Sequence, residues 1–225
     1  MPDLLPLCLN LTGRAVVLVG GGPVATAKLR QLLAAGATVR VVAPEVTDEI
    51  RSQPEVAIAL RPFEAADLDG VWLVVAAATP EVNRHVADVA ETLRLFVNAV
   101  DDPANATAFL SGVVRRDGVT VAISTSGAAP ALAALLREGL DALLPRDLAS
   151  WVWQARAARV AWRREGIPME ARKPRLLQAL NGLYDREGAA QTAGTAEKAG
   201  FTLSAISTAE RPRVPWLNGP EDSWL

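Results

Sequence analysis

The sequence predicts an α/β fold built on a parallel sheet. Three observations carry this. Short, continuously apolar runs recur through the first 100 residues, helix-like stretches lie between them, and three glycines stand where the first apolar run meets the first helix. Continuous apolar runs suit strands buried on both faces, as in a parallel sheet covered by crossover helices.

The strand-like runs are AVVLV (15–19), TVRVVA (38–43), VAIAL (56–60), VWLVVAA (71–77) and LFVNAV (95–100). Helices are expected at 23–35, 45–52 and 80–93, and the acidic stretch 63–69 is too short to assign. Gly36 stands where a helix C-cap belongs. Thr79 and Pro80 supply an N-cap residue and a first-position proline. After Asp101 the rhythm changes. Residues 106–127 read as strand, turn, strand, with Asp117-Gly118 as the hairpin signal. Residues 128–145 form a strongly helical stretch, and the helical pattern continues to about 188 with a break near Gly166-Ile167-Pro168. The final 189–225, rich in Ala, Gly, Thr, Ser and Pro, has no period and is expected to be a disordered tail, although it holds Trp216 and Trp224.

Composition narrows the function classes. A net charge of −2 argues against a general nucleic-acid binder. One cysteine (Cys8) and one histidine (His85) allow neither an internal disulfide nor a Cys/His zinc site, so no resident metal is expected. Such cysteine usage suits a reduced, cytoplasmic protein. No signal peptide is visible, and no apolar run approaches the roughly 18 residues that span a bilayer, so a soluble protein with no membrane partner is expected. Charge is uneven. Residues 1–145 carry 11 Lys and Arg against 16 Asp and Glu, whereas 146–175 carry 8 against 3. The basic segment is Arg146, Arg156, Arg159, Arg163, Arg164, Arg172, Lys173 and Arg175. It is either a solvated helix face or a site for a polyanionic small molecule.

Gly20, Gly22 and Ala25 fit G-x-G-x-x-A, after a strand and opening a helix, as a dinucleotide turn requires. Gly20 permits the tight turn, Gly22 lets the backbone approach a pyrophosphate, and Ala25 lets helix and strand pack closely. Free amides at the helix start face the phosphates, less the one that Pro23 lacks. The expectation is therefore a Rossmann-like domain. One feature is missing: the second strand ends in VVAPEV, with Pro44 and Glu45 in place of an acid on the strand. Glu45 either reaches a ribose or sits in the first turn of the next helix. No nearby arginine suggests a 2′-phosphate, so NAD is favoured over NADP. VVAAATPEVN (74–83) repeats the strand-to-helix pattern, and its small residues leave room for a ribose beside Ala78 and Thr79.

Ligands of open α/β sheets sit beyond the carboxyl ends of the strands. The segment NAVDDPANATAF therefore points at the same crevice. Asp101 is a turn residue or else a general base or metal-handling carboxylate. Asp102-Pro103 is ordinary turn chemistry. Asn98, Ser124 and Thr125 are candidate substrate contacts. The hydroxyls of Ser124, Thr125 and Ser126 precede the long helix and either cap it or bind an anion there. His85, inside a helix, is a surface or packing residue, and no Ser–His–Asp arrangement is readable.

Taken together, LPLCLNL with the three-glycine turn, then VNAVDDP, then STSGAAPALA resemble precorrin-2 dehydrogenase, the unit that also forms the N-terminal part of siroheme synthases. The resemblance covers about 4–150 well and 151–188 more loosely. It implies NAD-dependent oxidation of precorrin-2 to sirohydrochlorin. In some members it also implies insertion of ferrous iron, a substrate, to give siroheme. It implies an NAD-binding domain over 1–112, a dimerisation region over 113–147 in a homodimer, and a helical substrate-side region over 148–188. It makes Asp101 the key acid, and matches Pro23, Val24, Pro44 and Glu45 to the family's NAD contacts. The basic segment suits a tetrapyrrole bearing many carboxylates. Two departures stand out. Thr125 occupies a position where some siroheme synthases carry a serine resembling a phosphorylation site, so phosphoserine is excluded there. A methyltransferase domain would need roughly 200 further residues, so uroporphyrinogen methylation is expected of another protein. A non-catalytic NAD or tetrapyrrole sensor, and a dehydrogenase without chelation, are the competing readings.

Overall fold

Five short strands form a fully parallel sheet in the order β3-β2-β1-β4-β5: β1 (Ala15–Val19), β2 (Thr38–Val42), β3 (Ala57–Ala59), β4 (Leu73–Ala76) and β5 (Phe96–Ala99). The structure is a computed structural model that describes residues 4–182. The expected tail at 189–225, with Trp216 and Trp224, lies outside the described residues. Register runs from Val16 opposite Val39 to Val19 opposite Val42, and from Val16 opposite Leu73 to Val19 opposite Ala76.

Alternation along each strand divides the core between two faces. Val16 and Leu18 of β1 join a cluster with Ala25, Leu29 and Leu32 of α1 (Pro23–Ala34) and Ile50 of α2 (Asp48–Arg51). Val17 and Val19 join Val86, Ala87 and Ala90 of α3 (Pro80–Thr92) and Leu68 of a 3₁₀ turn at Ala65–Leu68. Central β1 and β4 are therefore apolar on both sides, which is why their sequences are unbroken apolar runs. Burying each such valine or leucine contributes about 1.5–3 kcal/mol.

Several boundaries differ from expectation for local reasons. The second helix begins at Asp48, because Thr47 is its N-cap and its Oγ1 accepts from Ile50 N at 3.3 Å. Glu45 consequently lies in the loop before the helix. The first strand after β5 begins at Gly112. The segment before it lies along the open edge of β5 instead: Thr107 N and Ala108 N each donate to Val97 O at 2.9 Å, and Val97 N donates to Thr107 Oγ1 at 2.9 Å. Covering an edge strand in this way satisfies its outward backbone groups. The unassigned acidic stretch holds a buried carboxylate. Asp67 takes two bonds from Arg61 (2.7 and 2.8 Å) and one from Glu64 N (3.0 Å).

The hairpin β6 (Gly112–Arg116) and β7 (Val119–Ile123) turns at Asp117 and Gly118, whose φ of 50° and 83° suit the primed two-residue turn. Helices α4 (Pro130–Leu143) and α5 (Leu148–Arg164) follow, and residues 169–182 are helical. Gly166, at φ 67°, ends α5 just before Pro168. The chain divides into two compact units, residues 1–114 with 121–143, and residues 115–120 with the chain from 144 onward. In the second unit Arg116 Nη1 donates to Leu144 O at 3.0 Å, Leu148 and Leu180 are buried, and seven of the eight basic residues of 146–175 are exposed, Arg172 being half-buried. No helix among the described residues is long and apolar enough to cross a membrane.

Candidate functional site

The strand order reverses direction between β1 and β4, and the glycine turn stands at that switch point. Gly20 has φ 121°, and a β-carbon there would lie 2.2 Å from Ala77 O, so the turn and the end of β4 touch backbone to backbone. Gly21 is equally constrained: a β-carbon would press into the carbonyl of Glu45. Gly22 is different. It is exposed, has φ −82°, and has open space where a β-carbon would stand. It is the N-cap of α1 and has no side chain to cap with. Among the described residues the amides of Val24 and Ala25 meet no acceptor, so the helix start beside the open space at Gly22 keeps free donors, the arrangement a phosphate group fits. Val24 is 47 % exposed, whereas Ala25 is fully buried against the sheet.

The loop after β2 braces this turn. Thr47 N donates to Gly21 O at 2.9 Å, and the hydroxyls of Thr26 and Thr47 lie 2.8 Å apart. Pro44 and Glu45, both exposed, are held beside the glycines by these bonds.

Asn83, which the sequence reading did not single out, links the loops after β4 and β5. It is buried at 3 % exposure; its Oδ1 accepts from Ala78 N at 3.0 Å and its Nδ2 donates to Val100 O at 3.4 Å. Thr79 is in N-cap geometry for α3 but its side chain makes no capping bond. Its carbonyl accepts from Asn83 N at 2.9 Å, one turn on.

Val100 leads directly to Asp101, an exposed residue with φ 58°. A non-glycine residue in that region is uncommon and, where the surroundings hold it, often marks a functional position. Asp101 itself stands in a turn, and its neighbour is engaged within that segment. Asp102 Oδ2 accepts from Asn105 Nδ2 at 2.7 Å and so belongs to its own turn. Asp101 has no hydrogen bond or ion pair among the described residues. Asn98 is buried at 6 % exposure; its Nδ2 donates to Ala108 O at 2.9 Å, and its Oδ1 has no partner.

Ser124 and Thr125 stand close to this segment. A β-carbon on Gly127 would meet Pro103 Cγ at 3.0 Å and Phe109 Cε1 at 3.5 Å, so the STSG loop packs directly on the loop after Asp101. Thr125 Oγ1 accepts from Ala129 N (3.2 Å), and Ser124 Oγ accepts from Ser126 N (3.1 Å). Both hydroxyls thus act as acceptors within the loop and keep an O–H to donate. His85 lies outside the site, stacked edge-on against Phe63 with centroids 5.6 Å apart. No cluster of metal-ligating side chains occurs among the described residues.

Comparison with known proteins agrees with this layout. Residues 7–112 match a family model described as "Putative NAD(P)-binding", and residues 116–143 match one described as sirohaem biosynthesis protein, central. The chain is 38% identical over 186 residues to a siroheme synthase of Photorhabdus laumondii, covering 81% of this chain and 40% of that protein. It is 38% identical over 234 residues to siroheme synthase 1 of Aeromonas salmonicida, covering 99% of this chain and 49% of that protein. The chain thus spans less than half the length of these curated relatives. Among solved structures, SirC, precorrin-2 dehydrogenase, matches with a TM-score of 0.58 at 24% identity, covering 78% of this chain and 88% of that one, a likeness of fold.

Proposed function

We propose, since the chain belongs to the siroheme synthase family through its NAD(P)-binding and central segments, that it oxidises precorrin-2 to sirohydrochlorin with NAD. The observation that carries this reading is the crevice itself. Among the described residues, one wall offers unclaimed amides at the start of α1, and the other carries Asp101 without a partner while Asp102 is engaged by Asn105.

NAD, when bound, supplies the hydride acceptor. The chain's own part is binding, orientation and proton handling. Gly20 and Gly22 let the backbone approach the pyrophosphate, and Pro23, Val24 and Ala25 shape the helix start against it. Pro44 and Glu45 would border one ribose, and Ala78 and Thr79 would border the other. Asp101 takes the proton that must leave as the hydride departs. Asn98 Oδ1 suits a pyrrole-type N–H, and the hydroxyls of Ser124 and Thr125 suit a carboxylate. The basic residues of 146–175 match the charge of a tetrapyrrole with many carboxylates. The division into an NAD-binding domain over 1–112, a dimerisation region over 113–147 and a substrate-side region over 148–188 belongs to the same reading.

We place the protein in the cytoplasm as a homodimer. In α4 no residue is buried, and Leu132, Leu135, Leu136, Leu140 and Leu143 are 37–67 % exposed. Leucines on this scale need a cover, and a second copy of the same helix supplies one. Asp101 also serves when ferrous iron enters as a substrate, by accepting the protons that sirohydrochlorin gives up.

A two-stage assay tests this. NADH formation from precorrin-2 is followed first, then metal insertion into sirohydrochlorin, for wild type and Asp101→Ala. The expected result is turnover by wild type and a fall of about 100-fold or more in the variant. No NADH from wild type sinks the reading. Binding without turnover, unchanged by Asp101→Ala, is the result a sensor gives.

A further inference from the structure

Lys28 is a charged group on the crevice side of α1 to which the reading above gives no task. It lies four residues after Val24 and so shares that residue's helix face. Helical side chains lean toward the helix N-terminus, so its chain runs back toward the glycine turn. Lys28 is half-buried, and its ammonium makes no hydrogen bond or ion pair among the described residues. Arg30, two residues on, is paired with Glu49.

The surroundings of Lys28 include the proposed chemistry. Val100, Ala108 and Leu110 pack on the same cluster as Ala25, Leu29 and Leu32 of α1, so the chain leaving β5 crosses the α1 side of the sheet. Asp101 is on that chain. Alternation along β5 puts Asn98, with its unpartnered Oδ1, on this side as well. Burial lowers the pKa of Lys28 from the ordinary lysine value, and the carboxylate of Asp101 pulls it back up. That carboxylate is near enough to be felt and too far to form a pair. A half-buried ammonium without a hydrogen-bonded counter-ion costs stability, so the position is incomplete until an anion arrives. The cofactor's phosphates, in the reading proposed above, would be served by the amides of Val24 and Ala25, a turn away.

We propose that Lys28 binds a carboxylate side chain of the substrate and so holds the reacting edge of the ring against Asp101. This rests on the tetrapyrrole reading. It assigns Lys28 to substrate and not to cofactor.

The test compares Lys28→Met and Lys28→Arg with wild type in four measurements: KM and kcat for precorrin-2, Kd for NAD, and Tm. Sirohydrochlorin binding is titrated separately by its absorbance, alongside its methyl-esterified form. Lys28→Met is expected to raise KM, and the sirohydrochlorin Kd, about 10-fold, the size of one charge-assisted hydrogen bond. Its kcat and NAD Kd stay within about 2-fold. Its Tm is unchanged or higher, because a partly buried charge has gone; a lysine with a merely structural role would lower Tm on removal. Lys28→Arg recovers most of the affinity. Esterification weakens binding to wild type more than to Lys28→Met. An unchanged KM, a parallel loss of NAD affinity, or a fall in Tm that accounts for the loss overturns the proposal. Wild type that binds sirohydrochlorin but makes no NADH removes the dehydrogenase reading, and the titration alone then judges Lys28. Wild type that binds no tetrapyrrole overturns both.

Discussion

The hydroxyls of Thr26 and Thr47 lie 2.8 Å apart and tie the first helix of the sheet to the loop after the second strand. Thr47 does three things at once: its amide holds Gly21 O, its hydroxyl meets Thr26, and the same oxygen caps α2 at Ile50 N. Replacing it by valine keeps the shape and the amide but removes both hydroxyl bonds. A cap and a hydrogen bond are each worth about 1 kcal/mol. The expected Tm loss for Thr47→Val is about 4–8 °C. NAD affinity is expected to fall several-fold as the glycine turn loosens. Thermal unfolding and an NAD titration check the two effects separately.

Gly20 and Gly22 are predicted to fail in opposite ways. Gly20→Ala puts a methyl group 2.2 Å from Ala77 O at a φ of 121°, so the strand ends must part. Low soluble yield or a collapsed Tm is the expected outcome. Gly22→Ala meets nothing within 4 Å and has an ordinary φ, so it folds normally. It should weaken NAD binding by about 10-fold or more, because the methyl group fills the space the pyrophosphate needs. Equal Tm losses in the two variants would refute this division.

Asn83→Leu leaves the Ala78 amide and the Val100 carbonyl without partners in a buried place. Each unsatisfied group costs about 1–3 kcal/mol. Tm should fall by at least about 4 °C. Hydrogen exchange should quicken at the amides of Ala78 and Val100 together, because one side chain holds both loops. Quickening at one loop alone would show that the loops are held independently.

Asp67 sets an acid limit on stability. Hydrogen bonds from Arg61, and then from Glu64 N, hold its carboxyl below the usual aspartate range in spite of burial. A depressed pKa in the folded state means stability that is fully present above the unfolded value. It is lost as pH falls through the folded value. Unfolding free energy should therefore be flat from neutrality down to about pH 4 and decline below it. Asp67→Asn should lose about 2 kcal/mol at pH 7 and show a shallower decline in acid, as read from urea unfolding at several pH values.

Much of the fold was legible because its rules are local. Strands buried on both faces must be apolar throughout, a first helical position tolerates Pro23 or Pro80, and Asp117-Gly118 can turn a hairpin. The second helix was expected too early because an acid at Glu45 looks like a first-turn residue. The cap that starts the helix is Thr47, whose hydroxyl is also shared with Thr26. The strand expected from 106 begins at 112 because the edge of β5, a distant element, claims Thr107 and Ala108.

By itself the sequence determined the parallel sheet and the place of the glycine turn, since each depends on spacing along the chain and on the chemistry of single side chains; Asp101 it left open between a turn residue and a general base. Only the tertiary structure decided which polar groups are taken and which are left over. Among the described residues it engaged Asp102 and left Asp101 without a partner, made Asn83 the link between two loops, gave Gly21 and Glu45 a shared contact, and set Lys28, without an ion pair there, on the Asp101 side of the sheet. Those outcomes depend on distances between residues far apart in the chain. Burial and partnership are properties of such distances, and no local pattern encodes them.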